Sequence, residues 1–263
     1  MDNTKKARVI AFYLPQFHPI PENDRWWGKG FTEWTNVGKA KPLFKGHYQP
    51  RVPADLGYYD LRMPEVREAQ AKMAREAGIE GFCYWHYWFG NGKKLLERPF
   101  QEVLSSGKPD FPFCLGWANH SWTNKSWEAG TKRIKESTLV EMVYNKEEYV
   151  KHFYEVLPAF KDERYIQVDG KPLFLVFRPL EITDPHVFID IWQELAKKSG
   201  LKGIYFVGIA HNMLPQDLTF KNILLKNASD NSAFNYNSVL NAGYDAVNSR
   251  GYNRADYYSR SLI

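Results

Sequence analysis

The stretch FCLGWANHSWTNKSW, residues 113–127, runs from an apolar strand pattern straight into Trp117, Asn119, His120, Trp122 and Trp127. Indole faces stack on the C–H faces of sugar rings, while amide, imidazole and guanidinium groups meet hydroxyls. The segment therefore offers the chemistry of a carbohydrate surface. Residues of the same kinds stand where other apolar runs end: His18, Glu33 and Trp34 beyond the first, His86 and Trp88 in the second, Arg178 and His211 after later ones. Tyr13 of the first run joins the substrate-binding set. Cleavage of a glycosidic bond ordinarily takes two flanking carboxyl groups, about 5 Å apart for retention and roughly 6.5–9.5 Å for inversion. The acids near these run ends are Glu33, Glu128 and Glu181. Glu33 and Glu181 are the catalytic candidates, and no catalytic pair is otherwise assigned. Asp169 sits in VDGKP, an Asp-Gly turn, and Asp245 is flanked by strand residues. The competing reading of the whole set is rim packing with satisfied hydrogen bonds.

The elements that must position these residues alternate. Strand patterns cover 8–15, 79–89, 111–119, 171–179, 203–211 and 243–247; helical spacing covers 64–78, 93–107 with a break near Pro99, 146–160 and 187–200. Near-continuous apolar strands separated by amphipathic helices indicate parallel strands covered on both faces. The fold class is α/β, a (β/α)8 TIM-barrel-like domain over residues 1–263, with its site at the C-terminal ends of the strands. About six βα units can be counted against the eight of a closed barrel, so the barrel reads as incomplete at the C-terminus, a truncated domain. Residues 16–63 read as one long loop, with Tyr58 and Tyr59 packed in it. In the second strand Tyr84, His86 and Trp88 share one face, directed at the site, and Trp85 and Tyr87 face the helices.

Composition removes several function classes. The net charge of +5 comes from 35 basic and 30 acidic residues spread along the chain, without the basic stripe of a nucleic-acid protein. Cys83 and Cys114 lie inside apolar runs as small hydrophobes, which fits a reducing cytoplasm. The N-terminal segment lacks a cleavage-site pattern, and no apolar run reaches membrane-spanning length. A soluble cytoplasmic protein without membrane insertion is expected. His86, His120 and His211 lack the spacings that specify a metal site, and there is neither a Gly-rich phosphate loop nor a DxD pair. No metal and no cofactor are expected; oligomeric state is not readable.

The stretches AFYLPQFHPIPENDRWWGKGFTEWTNV (11–37), PLFKGHYQPRVPADLGYYDLR (42–62), GFCYWHYWF (81–89), SGKPDFPFCLGWAN (106–119) and RYIQVDGKPLFLVFRP (164–179) resemble the WbsX-type family. That family is grouped with glycoside hydrolase family 99-like barrels and labelled as glycosyltransferases of bacterial polysaccharide or lipopolysaccharide loci. The resemblance implies a (β/α)8 barrel acting on manno-configured glycans by cleavage or transfer. It also implies that Glu33, Trp34, Tyr84, His86, Trp117 and Asn119 line the glycone site. Two departures stand out: His120 occupies a position usually acidic, and the C-terminal NEWxE-like motif that carries the family's carboxylates does not occur. The alternatives are a catalytically incomplete glycan-binding remnant and a nucleotide-sugar glycosyltransferase.

Overall fold

Runs of Val, Ile, Leu and aromatic residues build the six parallel strands of an eight-stranded sheet, whose other two strands are short and antiparallel, in a computed structural model that describes residues 7–124, 137–211 and 236–250. The parallel strands are β1 (Ile10–Tyr13), β2 (Gly81–Gly90), β3 (Phe113–Trp117), β4 (Lys171–Val176), β5 (Tyr205–His211) and β6 (Ala246–Arg250). Their spatial order is their chain order, and each neighbouring pair is parallel. Parallel neighbours require a crossover, and each crossover carries a helix. These are α3 (Pro64–Glu76), α4 (Arg98–Ser106), α5 (Lys146–Phe160), α6 (Pro185–Lys198) and α7 (Tyr236–Asn241). Two earlier helices, α1 (Pro21–Trp27) and α2 (Glu33–Lys39), lie between β1 and α3.

Local chemistry sets the helix starts. Asn145 accepts from the backbone N–H of Glu148 at 2.9 Å to open α5, and Asp184 accepts from that of Val187 at 3.1 Å to open α6. Pro64 and Pro185 occupy first-turn positions, where a missing N–H removes no helical bond. The helices bury one face each against the sheet. Phe160 of α5 and Trp192 of α6 meet Phe174 of β4, Phe188 and Trp192 meet Phe206 of β5, and Phe153, Val156 and Ala196 are buried on the same two helices. Burying each large side chain there contributes about 1.5–3 kcal/mol. The Trp192 indole N–H donates to the Tyr149 carbonyl at 2.9 Å, so its polar atom is satisfied inside the core.

Two sequence expectations are corrected. The segment 93–107 is not one broken helix: Lys93–Leu95 returns along β2 as an antiparallel strand, and α4 begins only at Arg98, with Pro99 in its first turn. The reversal uses Gly90, Asn91 and Gly92, all with positive φ, so proline here starts a helix instead of interrupting one. Residues 16–63 also hold α1 and α2, where a loop was expected. Thr32 opens α2, its Oγ1 accepting from the Trp34 N–H at 3.2 Å while its own N–H donates to Thr35 Oγ1 at 3.2 Å.

The face assignment of β2 is reversed as well. Across the sheet, Tyr13, Tyr84, Leu115, Phe174 and Phe206 lie in one register row, and His86, Trp117, Val176 and Gly208 in another of the same parity. Both rows face the helices. Tyr84 packs on Phe100 of α4, His86 and Trp88 on His152 of α5, and Trp117 on Phe188 of α6. Trp85 and Tyr87 therefore point to the opposite side, where Trp85 stacks on Phe12 at 4.9 Å and meets Phe177 edge-on at 5.3 Å. Gly116, beside Trp85 in register, makes this possible. A Cβ there would stand 3.3 Å from the Trp85 ring and 3.2 Å from the Cys83 sulfur.

Candidate functional site

The face of the sheet opposite the helix layer opens into a cleft of about 450 Å³, within the range of small-ligand sites. Three segments wall it. The first β–α connection contributes Gln16 and Phe31, Asn23 and Trp27 of α1, and Glu33 and Asn36 of α2; the segment after β3 contributes His120, Ser121, Trp122, Thr123 and Leu139; the segment after β4 contributes Arg178 and Glu181. The last two groups come directly after parallel strands, the position from which barrel enzymes build their sites.

Glu33 is half-buried at the first position of α2, and its carboxyl group makes no hydrogen bond or ion pair with the described residues. Burial alone raises its pKa from the ordinary glutamate value. A desolvated acid without a protein partner in a cleft is a group held ready for a ligand. Glu181 differs, because it is ion-paired with Arg178 three residues earlier. Trp122 lies in the short strand Trp122–Thr123, paired with Thr138–Val140, and is wedged edge-to-face against Tyr87 at 5.2 Å and Phe89 at 5.5 Å. Tyr87 in turn accepts from Gln16 Nε2 at 2.8 Å. The outward parity of Tyr87 thus supports the wall of the cleft.

Asn119 supports the site from behind. It is fully buried; its Nδ2 donates to the Arg178 carbonyl at 2.9 Å and the Tyr144 hydroxyl at 3.1 Å, while its Oδ1 accepts from the Arg178 N–H at 2.7 Å. Tyr144 donates back to the Asn119 carbonyl at 2.7 Å. This network splices the ends of β3 and β4 and sets the backbone from which Arg178 and Glu181 enter the cleft.

The expected site residues thus divide. Glu33, His120, Trp122, Arg178 and Glu181 are brought together in the cleft. Tyr13, Tyr84, His86, Trp88 and Trp117 are on the helix side, the correction that follows from the reversed parity. Tyr13 donates to Gln70 of α3 at 2.6 Å, and the Trp117 indole N–H donates to the Trp88 carbonyl at 2.8 Å. His18 is buried away from the cleft lining. Trp34 uses its indole N–H on the Tyr59 carbonyl at 2.8 Å and packs on Phe17 and Tyr58. Trp127, Glu128 and the His211 side chain lie outside the described residues. Asp169 has φ 53° and occupies the expected turn; Asp245 accepts from the Phe206 N–H at 2.8 Å.

Behind the sheet, His86 Nε2 and His152 Nε2 are 2.9 Å apart. His152, missed in the sequence, is fully buried between Trp88, Trp117 and Trp192. Burial holds the pKa of both rings down, that of His86 to about 3. One neutral ring donates its Nε2–H and the other accepts. Among the described residues there is no cluster of three or more metal-ligating side chains, and no helix is long and apolar enough to cross a membrane. Cys83 and Cys114 are free and buried.

Comparison with known proteins places this geometry in a family. Two proteins named Uncharacterized protein WxcX, from two strains of Xanthomonas campestris pv. campestris, are 41% identical over 205 residues, which is 78% of this chain and 29% of theirs. The chain therefore spans less than a third of the length of these relatives. Among solved structures, a GH99 endo-alpha-mannosidase from Bacteroides thetaiotaomicron in complex with bis-tris-propane superposes with a TM-score of 0.50 at 13% identity, covering 93% of this chain and 59% of that one. A glycoside hydrolase-like protein gives 0.50 at 16% identity, covering 88% and 67%. These likenesses are of fold: a curled parallel sheet backed by helices, as in a TIM barrel, with about six strand–helix units. The family described as Glycosyltransferase WbsX matches residues 9–257, and the chain belongs to it.

Proposed function

We propose that the cleft binds a manno-configured glycan and that a glycosidic bond is broken or transferred there. The observation that carries this reading is the Glu33 carboxyl group, half-buried, unpartnered among the described residues and raised in pKa, in a cleft that also holds Trp27, Trp122 and a second acid. A carboxyl group whose pKa is raised by burial keeps its proton to higher pH than an exposed one and can give it to a leaving oxygen. Glu181, in the same cleft, is the second candidate of the two that such chemistry uses. The Trp faces supply stacking, and Gln16, Asn36 and His120 supply hydrogen bonds to sugar hydroxyls. The free buried cysteines support a cytoplasmic location.

The test is calorimetric titration with an α-linked mannotetraose. Glu33→Gln and Trp122→Ala should each weaken binding about fivefold or more, near 1 kcal/mol, with unchanged circular dichroism. Equal affinity in both folded variants would remove the reading. A second reading, binding without bond cleavage, is favoured by the Arg178–Glu181 ion pair, which already occupies the second carboxylate. Tetraose binding without release of reducing sugar selects it; release abolished by Glu33→Gln selects the enzyme.

A further inference from the structure

The segment directly after the cleft wall is basic and aromatic at once. From Lys39 to Arg51 the sequence KAKPLFKGHYQPR holds Lys39, Lys41, Lys45 and Arg51 and no acid. All four cations are exposed, and none forms an ion pair among the described residues. Between them Phe44 and Tyr48 remain 67% and 61% exposed, large values for rings that pack on so little of the protein. Phe44 has His47 stacked on one face, at 4.6 Å and 9°, and Arg51 rests over Tyr48 at 5.8 Å. Their accessible area lies outside those internal pairs.

The N-terminal end of this strap is continuous with the helix that walls the cleft. It leaves α2 at Lys39, one turn beyond Asn36. Beyond Arg51 the chain returns to α2, where the Trp34 indole N–H donates to the Tyr59 carbonyl at 2.8 Å and the Tyr58 ring meets Trp34 edge-on at 5.3 Å. Unpaired cations interleaved with open aromatic faces suit a chain whose rings stack and whose substituents are negative. A neutral sugar would use the rings and leave four cations idle.

We infer that the strap Lys39–Arg51 is an outer subsite for the anionic part of a glycan whose adjoining sugars occupy the cleft, an inference that rests on the glycan reading of that cleft. The probes are a mannotetraose bearing one phosphate group and the same tetraose after phosphatase treatment, titrated into the full chain and into the triple variant Lys41→Gln, Lys45→Gln, Arg51→Gln. The substituted side chains are exposed, so circular dichroism should not change. The phosphorylated tetraose should bind about tenfold more tightly at low salt, the sum expected of several exposed charge contacts. That gain should shrink as salt screens it, and should vanish in the triple variant while affinity for the neutral tetraose stays. Equal affinity of the wild-type chain for the two tetraoses, or a gain that survives in the triple variant, overturns the subsite and leaves the cleft reading intact. Binding to phosphatidylglycerol vesicles that the triple variant loses, without any gain on the sugar, reassigns the strap to a lipid surface. Failure of both tetraoses to bind removes the cleft reading and the inference together.

Discussion

Replacing Asn119 with Ala should destabilise the protein by roughly 2–4 kcal/mol. Its side chain makes three hydrogen bonds, to the Arg178 carbonyl, the Arg178 N–H and the Tyr144 hydroxyl, and the residue is fully buried. Each such bond contributes about 0.5–1.5 kcal/mol net, and a buried partner left unmatched adds a desolvation cost. The middle of that range is reduced where Arg178, itself exposed, lets water reach its backbone. Asn119→Asp is the sharper variant. It keeps an acceptor for the Arg178 N–H but turns a carboxylate oxygen toward the Arg178 carbonyl, so it should cost as much as Ala even though it is nearly isosteric. Urea denaturation followed by tryptophan fluorescence measures both, the midpoint moving at constant m. A loss below 1 kcal/mol for Ala, or an Asp variant as stable as the wild type, would refute the view that this amide joins the ends of β3 and β4.

The remaining predictions concern protons. Glu33 has its pKa raised in the folded state, so the native chain binds more protons than the unfolded one across that interval, and stability falls as pH rises through it. Glu33→Gln should therefore be no less stable than wild type at pH 7, and slightly more so, in a thermal melt; a clearly lower Tm would mark Glu33 as structural. His86 and His152 have lowered pKa values, so the unfolded chain binds the extra protons below the ordinary histidine pKa. Stability should fall as pH drops below about 6.5, by roughly 1–1.5 kcal/mol per pH unit for each ring. His152→Phe should flatten that slope in denaturation curves between pH 7 and 5, and an unchanged slope would show that other groups cause the acid loss.

The strand and helix order was legible because continuous apolar runs and helical spacing are strong local signals, bounded by Pro and Gly at positions such as Pro64 and Gly78. The parity of β2 was not. Tyr84, Trp85, His86, Tyr87 and Trp88 are aromatic on both faces, and a parallel strand covered on both sides carries no polar alternation to tell inside from outside. Trp117 followed the same error, because its register with His86 fixes it to the helix side. Asn119 was legible as a singular polar residue, yet only its partners show that it spends its amide on Arg178 and Tyr144. Trp27, Asn23 and Asn36 were missed with α1 and α2. Pro21 and the Thr32–Thr35 pair were the available signals for those helices, the second weakened by the lack of Glu or Gln at its third helical position. His152 could not be found from spacing, since its relation to His86 exists only in space.

The central claim is that the glycan lies in the cleft of Glu33, Trp122 and Glu181, on the face of the sheet away from the helices. A crystal structure of the chain soaked with the α-linked mannotetraose tests it most directly. The account predicts a sugar ring stacked on Trp27 or Trp122, with a hydroxyl or glycosidic oxygen within about 3.2 Å of the Glu33 carboxyl group. Sugar bound elsewhere on the fold, with the cleft empty and Glu33 untouched, would contradict it.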